Sequence, residues 1–170
     1  TRCDFTKRSG LLKAFVTGKF LSCFYLAEHW APEAVATAND GLARQDEVPA
    51  YASSCASVMA RQLGAGKEDI VAVAGWAGGM GLSGQGCGAL AAAVWLKSLA
   101  WRKANPKKPT FDNPAAKRIY QAFIEHTGGE LRCRHICGRH FASIEEHTEF
   151  VDGGGCAELM QSLAAIDQTA

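Results

Sequence analysis

Long apolar runs are missing from this chain. The most apolar N-terminal stretch, Leu11 to Ala27, is interrupted by Lys13 and Lys19, and lysines are costly at the centre of a bilayer, so no membrane span is expected. No signal peptide is visible either. The chain opens on Thr1 rather than methionine; a cytoplasmic location is the expectation, or a periplasmic one if an export signal has been removed. An excess of charge of one sign is also lacking, since 18 basic side chains stand against 17 acidic ones for a net charge of +1. That balance gives no global field to draw in nucleic acid or an anionic membrane, and neither is expected as a partner.

Runs of alternating β-branched residues are hard to find, whereas apolar residues recur at helical spacing over most of the length. An all-α fold is predicted. No internal repeat occurs. The stretch Gly78 to Gly88 lacks the Lys-Ser/Thr pair of a P-loop and the preceding strand of a dinucleotide fold. There is no C-x-x-C pair of the thioredoxin-like kind, no standard zinc-finger array and no C-x-x-C-H haem attachment. No nucleophile–base or carboxylate pair stands at recognisable spacing, which argues against a conventional hydrolase or phosphotransferase.

What is present suffices for a core: 170 residues, 48% of them hydrophobic, suit a compact multi-helix bundle. A first helix is predicted from about Ser9 to Trp30, with Leu12, Phe15, Val16, Cys23 and Leu26 on one side and Phe20, Phe24 and Tyr25 widening the stripe, as in a core helix. A second starts at Pro32 and ends near Gly41; a third follows Asp46 and Pro49 and carries Tyr51, Cys55, Val58, Met59 and Leu63. Lys67 to Trp76, Cys87 to Lys103 and Pro114 to His126 read as further helices, the last ended by Gly128 and Gly129. Asn105 to Pro114 reads as an exposed connection. A short helix holding Leu131, Cys133, Ile136 and Cys137 precedes a polar stretch to Asp152, where Glu145, Glu146 and His147 read as a solvated face. A last helix begins at Cys156. Residues 1–50 are expected to be an N-terminal helical extension packed on the core, and residues 51–170 the domain with the candidate site.

Seven cysteines are an odd number in a chain with an ample core, which is unlike a small secreted domain stapled by disulfides. In a reducing compartment scattered cysteines are more often metal-binding or catalytic than structural. The glycine loop delivers Cys87 to the start of a helix, where unpaired N–H groups and the helix dipole favour a thiolate over a thiol. Gly79, Gly81, Gly86 and Gly88 are the positions at which the backbone could approach a bulky cofactor. Gly153, Gly154 and Gly155 lead into Cys156 in the same way. The plainer alternative is that glycine turns the chain and cysteine fills a small buried site. Cys133 and Cys137, four residues apart, would face one way on a helix, with Arg132, Arg134 and Arg139 nearby to favour thiolates. His126, His135, His140 and His147 read as surface histidines, and Cys3 and Cys23 have no supporting context.

These segments together resemble the redox-active protein family named for its cysteine pattern, C_GCAxxG_C_C. The corresponding residues are S-C-A-S-V-M around Cys55, G-G-M-G-L-S-G-Q-G-C-G-A-L around Cys87, C-R-H-I-C-G from Cys133 and G-C-A-E-L-M around Cys156. The likeness runs from about Tyr51 to Ile166. Two departures are Ala92, where the family motif ends in glycine, and Cys137, an extra cysteine beside the expected one. The resemblance implies a metal or redox site made by Cys55, Cys87, Cys133 and Cys156, with Cys137 as the alternative to Cys133. A related domain accompanies haem modules in split-Soret-type cytochromes, so the resemblance implies an iron–sulfur cluster, [2Fe–2S] favoured, with zinc as the alternative. Electron transfer or redox sensing with a redox partner protein is the implied function, and a homodimer is the assembly considered. The competing readings are a thiol-disulfide oxidoreductase with Cys87 as the reactive thiol and a structural zinc protein.

Overall fold

The structure, a computed structural model, describes residues 8–43, 53–108 and 113–166. Among them it is all-α, with nine helices and no strand. The chain divides into two units, residues 1–50 and 51–170.

The first unit contributes α1 (Arg8–Val16) and α2 (Lys19–Ala43). The single helix expected from Ser9 to Trp30 is broken at Gly18, whose φ of +66° places it in the left-handed region, where glycine carries little penalty. The second predicted helix does not start afresh at Pro32, because α2 runs straight through it. Proline there removes one N–H donor, and the carbonyl left over, that of Glu28, belongs to an exposed residue that water can reach. Ala14 is buried, but Leu12, Phe15, Leu21, Phe24 and Trp30 are exposed, so the described side chains of the apolar stripe build no core within this unit. The Phe20 side chain lies outside the described set, as do Asp46, Pro49 and Tyr51.

The second unit holds α3 (Cys55–Gln62), α4 (Lys67–Ala74), α5 (Gly88–Ala104), α6 (Pro114–Thr127), α7 (Cys133–Ile136), α8 (Ile144–Asp152) and α9 (Ala157–Ala165). Its core forms where α3, α5, α6 and α9 meet, around Met59, Ala92, Ile119, Phe123, Met160 and Leu163. Ala56 and Ala60 of α3 share that core with Ala89 and Ala93 of α5, and small side chains let two helix axes approach closely. Each fully buried large side chain, such as Phe123 or Met59, contributes about 2–3 kcal/mol by leaving water.

Local signals fix the helix ends. Ser54 caps α3 by accepting from the Ser57 N–H at 3.1 Å, and Asn113 caps α6 by accepting from Ala115, with Pro114 in the first turn. Gly128 closes α6 at φ +61°, its N–H donating to the Ile124 carbonyl. The connection read as exposed from Asn105 to Pro114 is tied down at its far end, where Asn113 is buried and donates to Ser98; residues 109–112 lie outside the described set.

The polar stretch before Asp152 forms a helix, α8, whose solvated face holds Glu145 and Glu146 but not His147. Ser143 accepts from the Glu146 N–H, while Glu146 reaches back to accept from the Ala142 N–H at 2.8 Å. Glu145 and Glu146 lie toward solvent, but His147 and Val151 turn inward and are buried. Thr148 then ties α8 to the approach to α3 by donating to the Ser53 carbonyl.

Candidate redox site

Five cysteines from four separate segments line one small cavity: Cys55, Cys87, Cys133, Cys137 and Cys156. Each sits at a helix end. Cys55 and Cys133 are the first residues of α3 and α7, Cys137 follows the last turn of α7, and Cys87 and Cys156 precede α5 and α9. Ala89, Ile136, Phe150 and Val151 supply apolar wall. Cys23, by contrast, is exposed on α2, and Cys3 lies outside the described residues. All of the expected ligands are brought together, and the extra cysteine joins them.

The glycine loop acts mainly through packing. Cys133 and Arg134 donate their N–H groups to the carbonyls of Gly86 and Gly84, which fastens α7 to the loop. A Cβ on Gly79 would come within 2.9 Å of the Cys133 Cβ, and one on Gly88 would meet the Trp76 carbonyl oxygen at 2.0 Å and the Cys55 sulfur at 3.2 Å. Gly81 and Gly86 have open space where a Cβ would stand and serve as turns at φ +64° and +71°. None of these four glycines lines the cavity. Cys156 itself adopts a left-handed backbone, φ +60°, after Gly154 and Gly155.

The thiols differ in their readiness to ionise. Burial pushes Cys55 up to about 12, against the pull of the Gly78 N–H, and pushes Cys87 up to about 11, against those of Leu90 and Ala89. Helix-start N–H groups do point at Cys87, as its position suggested, but desolvation outweighs them, so Cys87 is a thiol at neutral pH. The Cys137 sulfur stands 3.8 Å from that of Cys133 and 3.5 Å from that of Cys156. These contacts hold Cys137 well above the usual thiol range and lower Cys133 and Cys156. Of the nearby arginines, Arg132 is engaged with Glu130 and Arg139 with Glu146. Glu130, held below the usual carboxylate range by Arg132, also accepts from the N–H groups of Leu131 and Arg132 and pairs with His135.

An ordering of alkylation in the reduced, metal-free protein follows. Cys156 is half-buried with a lowered pKa and reacts ahead of Cys55, which is buried and protonated to about pH 12. Raising the pH from 7 to 9 leaves Cys55 protonated and its labelling slow. Peptide mapping after timed iodoacetamide pulses checks this, and labelling of Cys55 ahead of Cys156 would contradict it.

His147, read as a surface histidine, also lines the cavity. Its Nε2 accepts the Gly78 N–H at 3.2 Å, the same donor that serves the Cys55 sulfur. The remaining proton is therefore on Nδ1, which is buried and without a hydrogen-bond partner among the described residues. The ring meets Phe141 edge-on, centroids 5.0 Å apart, and burial lowers its pKa so that it stays neutral. The sequence signal that could have exposed it is the Ser143-x-x-Glu146 capping box, which starts a helix and turns position 147 inward. His126, His135 and His140 are exposed, as expected.

The donor set suits a sulfur-ligated group: five sulfurs in an apolar lining, with backbone N–H groups directed at Cys55 and Cys87. Among the described residues no three His, Cys, Asp or Glu side chains are arranged to hold a single metal ion. No described helix is long and apolar enough to cross a membrane.

Neither the curated proteins nor the solved structures contain a match to this chain. The family model described as "Putative redox-active protein (C_GCAxxG_C_C)" matches residues 51–169, a span that takes in all five cavity cysteines, and the chain belongs to that family.

Proposed function

We propose that this protein is an iron–sulfur redox protein in which Cys55, Cys87, Cys133 and Cys156 are the ligands. The observation that carries this reading is the convergence of cysteines from separate helix ends on one apolar cavity. A bound cluster would supply reversible one-electron chemistry for electron transfer or redox sensing. The protein's part is to hold four sulfurs and exclude water. Gly78 donates an N–H to Cys55, and Ala89 and Leu90 donate to Cys87; such bonds steady thiolate charge and raise a reduction potential. Their protons leave when metal binds, since a coordinating thiol is deprotonated outright.

Cys133 is preferred to Cys137 as the third ligand because it is buried and anchored through its N–H to the Gly86 carbonyl, next to Cys87. Cys137 lies farther out. A structural zinc site would draw on the same sulfurs, and the two readings differ in what the protein binds. Anaerobic purification followed by metal analysis and a visible spectrum tests the proposal. Iron with acid-labile sulfide, and bands that bleach on reduction, is the expected result; a colourless, zinc-loaded protein overturns it.

A further inference from the structure

We propose that Cys137 and Cys156 form a reversible disulfide by reaction with a low-molecular-weight organic disulfide that enters through an open cleft beside the cysteine cavity. The cleft encloses about 320 Å³ and is lined by Cys137 and Cys156 together with Ile136, Phe150, His126 and Glu158. Cys55, Cys87 and Cys133 line the inner cavity alone, whereas Cys137 and Cys156 face both. Two thiols are thus presented to solvent at the point where the ligand set is most accessible. Their sulfurs are 3.5 Å apart, so closing to a bond of about 2.05 Å asks for an approach of roughly 1.5 Å.

Cys137 is also the cysteine that a four-thiolate site leaves over. The rim joins apolar Ile136 and Phe150 to one imidazole and one carboxylate, which suits a small disulfide with zwitterionic ends, of the cystine or oxidised glutathione type. The chemistry balances in two exchanges. The Cys156 thiolate attacks one sulfur of the small disulfide, forming a mixed disulfide and releasing one small thiolate. Cys137, after losing its proton to solvent, attacks the Cys156 sulfur, forming the internal disulfide and releasing the second small thiolate. Two protein thiols are oxidised and one small disulfide is reduced to two thiols.

One consequence rests on the iron–sulfur reading: the internal disulfide withdraws Cys156 from the ligand set, so the oxidised chain takes up iron at least about tenfold less well until it is reduced. The disulfide itself does not depend on that reading. The test uses the full chain, reduced and metal-free, incubated under nitrogen with oxidised glutathione, quenched by alkylation and mapped by peptide mass spectrometry. Wild type should show Cys137–Cys156 as the principal new cross-link and little retained glutathione, whereas Cys137→Ser and Cys137→Ala should each hold one glutathione on Cys156. A cross-link between Cys133 and Cys137, or glutathione only on Cys23, overturns the proposal. A chain that forms the expected cross-link yet never binds iron refutes the cluster reading alone.

Discussion

Cys55→Ser, Cys87→Ser and Cys156→Ser each retain at least about tenfold less iron than the parent after anaerobic reconstitution, while Cys23→Ser retains as much. The physical contrast is between three sulfurs in one apolar cavity and one exposed on α2. Serine is close to cysteine in volume and keeps each helix start intact, but its hydroxyl does not ionise near neutral pH and is a poor ligand for iron. The pair on α7 separates differently. Cys133→Ser is expected to lose iron and Cys137→Ser to keep it, since Cys133 is buried at the start of α7 while Cys137 borders the open cleft. Equal loading of all these variants, measured as iron and sulfide per chain, would sink the ligand set. A reversed order for Cys133 and Cys137 would exchange their roles and leave the other three standing.

Gly88→Ala is the second large effect. The added methyl would meet the Trp76 carbonyl oxygen at 2.0 Å and the Cys55 sulfur at 3.2 Å. The first atom is backbone and cannot swing aside, so α5 must move away from the segment after α4, a form of overpacking that costs about 3 kcal/mol. Gly81→Ala makes a useful control, because its Cβ meets nothing within 4 Å and only the positive φ of +64° is penalised, about 1 kcal/mol. Urea unfolding of the two variants measures the difference. Similar losses in both would mean that the close approach of Gly88 to Trp76 is not made in solution. Because the same methyl presses on Cys55, Gly88→Ala should also weaken iron retention, and Gly81→Ala should not.

Much of the architecture of the second unit could be read from its punctuation. The glycine run before Cys87, Asn113-Pro114 and Gly128 each marked a helix end that the structure places within a residue or so of expectation. The four-residue spacing of Cys133 and Cys137 put both sulfurs on one side, and they lie 3.8 Å apart. The gathering of Cys55, Cys87 and Cys156 was not legible from spacing, because it depends on how α3, α5 and α9 pack; it came from resemblance. Helix α8 was missed because one of its two buried positions, His147 and Val151, is a histidine that hydropathy counts as polar. Its partner is a backbone N–H sixty-nine residues away, and no local pattern reports that. At Pro32 the local signal pointed the wrong way: proline favours a first turn, yet an exposed helix can carry it inside at the cost of one hydrogen bond.

The left-handed backbone at Cys156 sets stability against the presence of sulfur at one position. A φ of +60° costs a residue with a Cβ on the order of 1–2 kcal/mol relative to glycine, and the preceding residues 153 to 155 are glycine already. Mutation toward a fourth glycine would ease the backbone and delete a wall of the cavity in the same step. Selection for a sturdier chain and selection for a sulfur at this point therefore pull in opposite directions, and the residue found there is the one that costs the fold more.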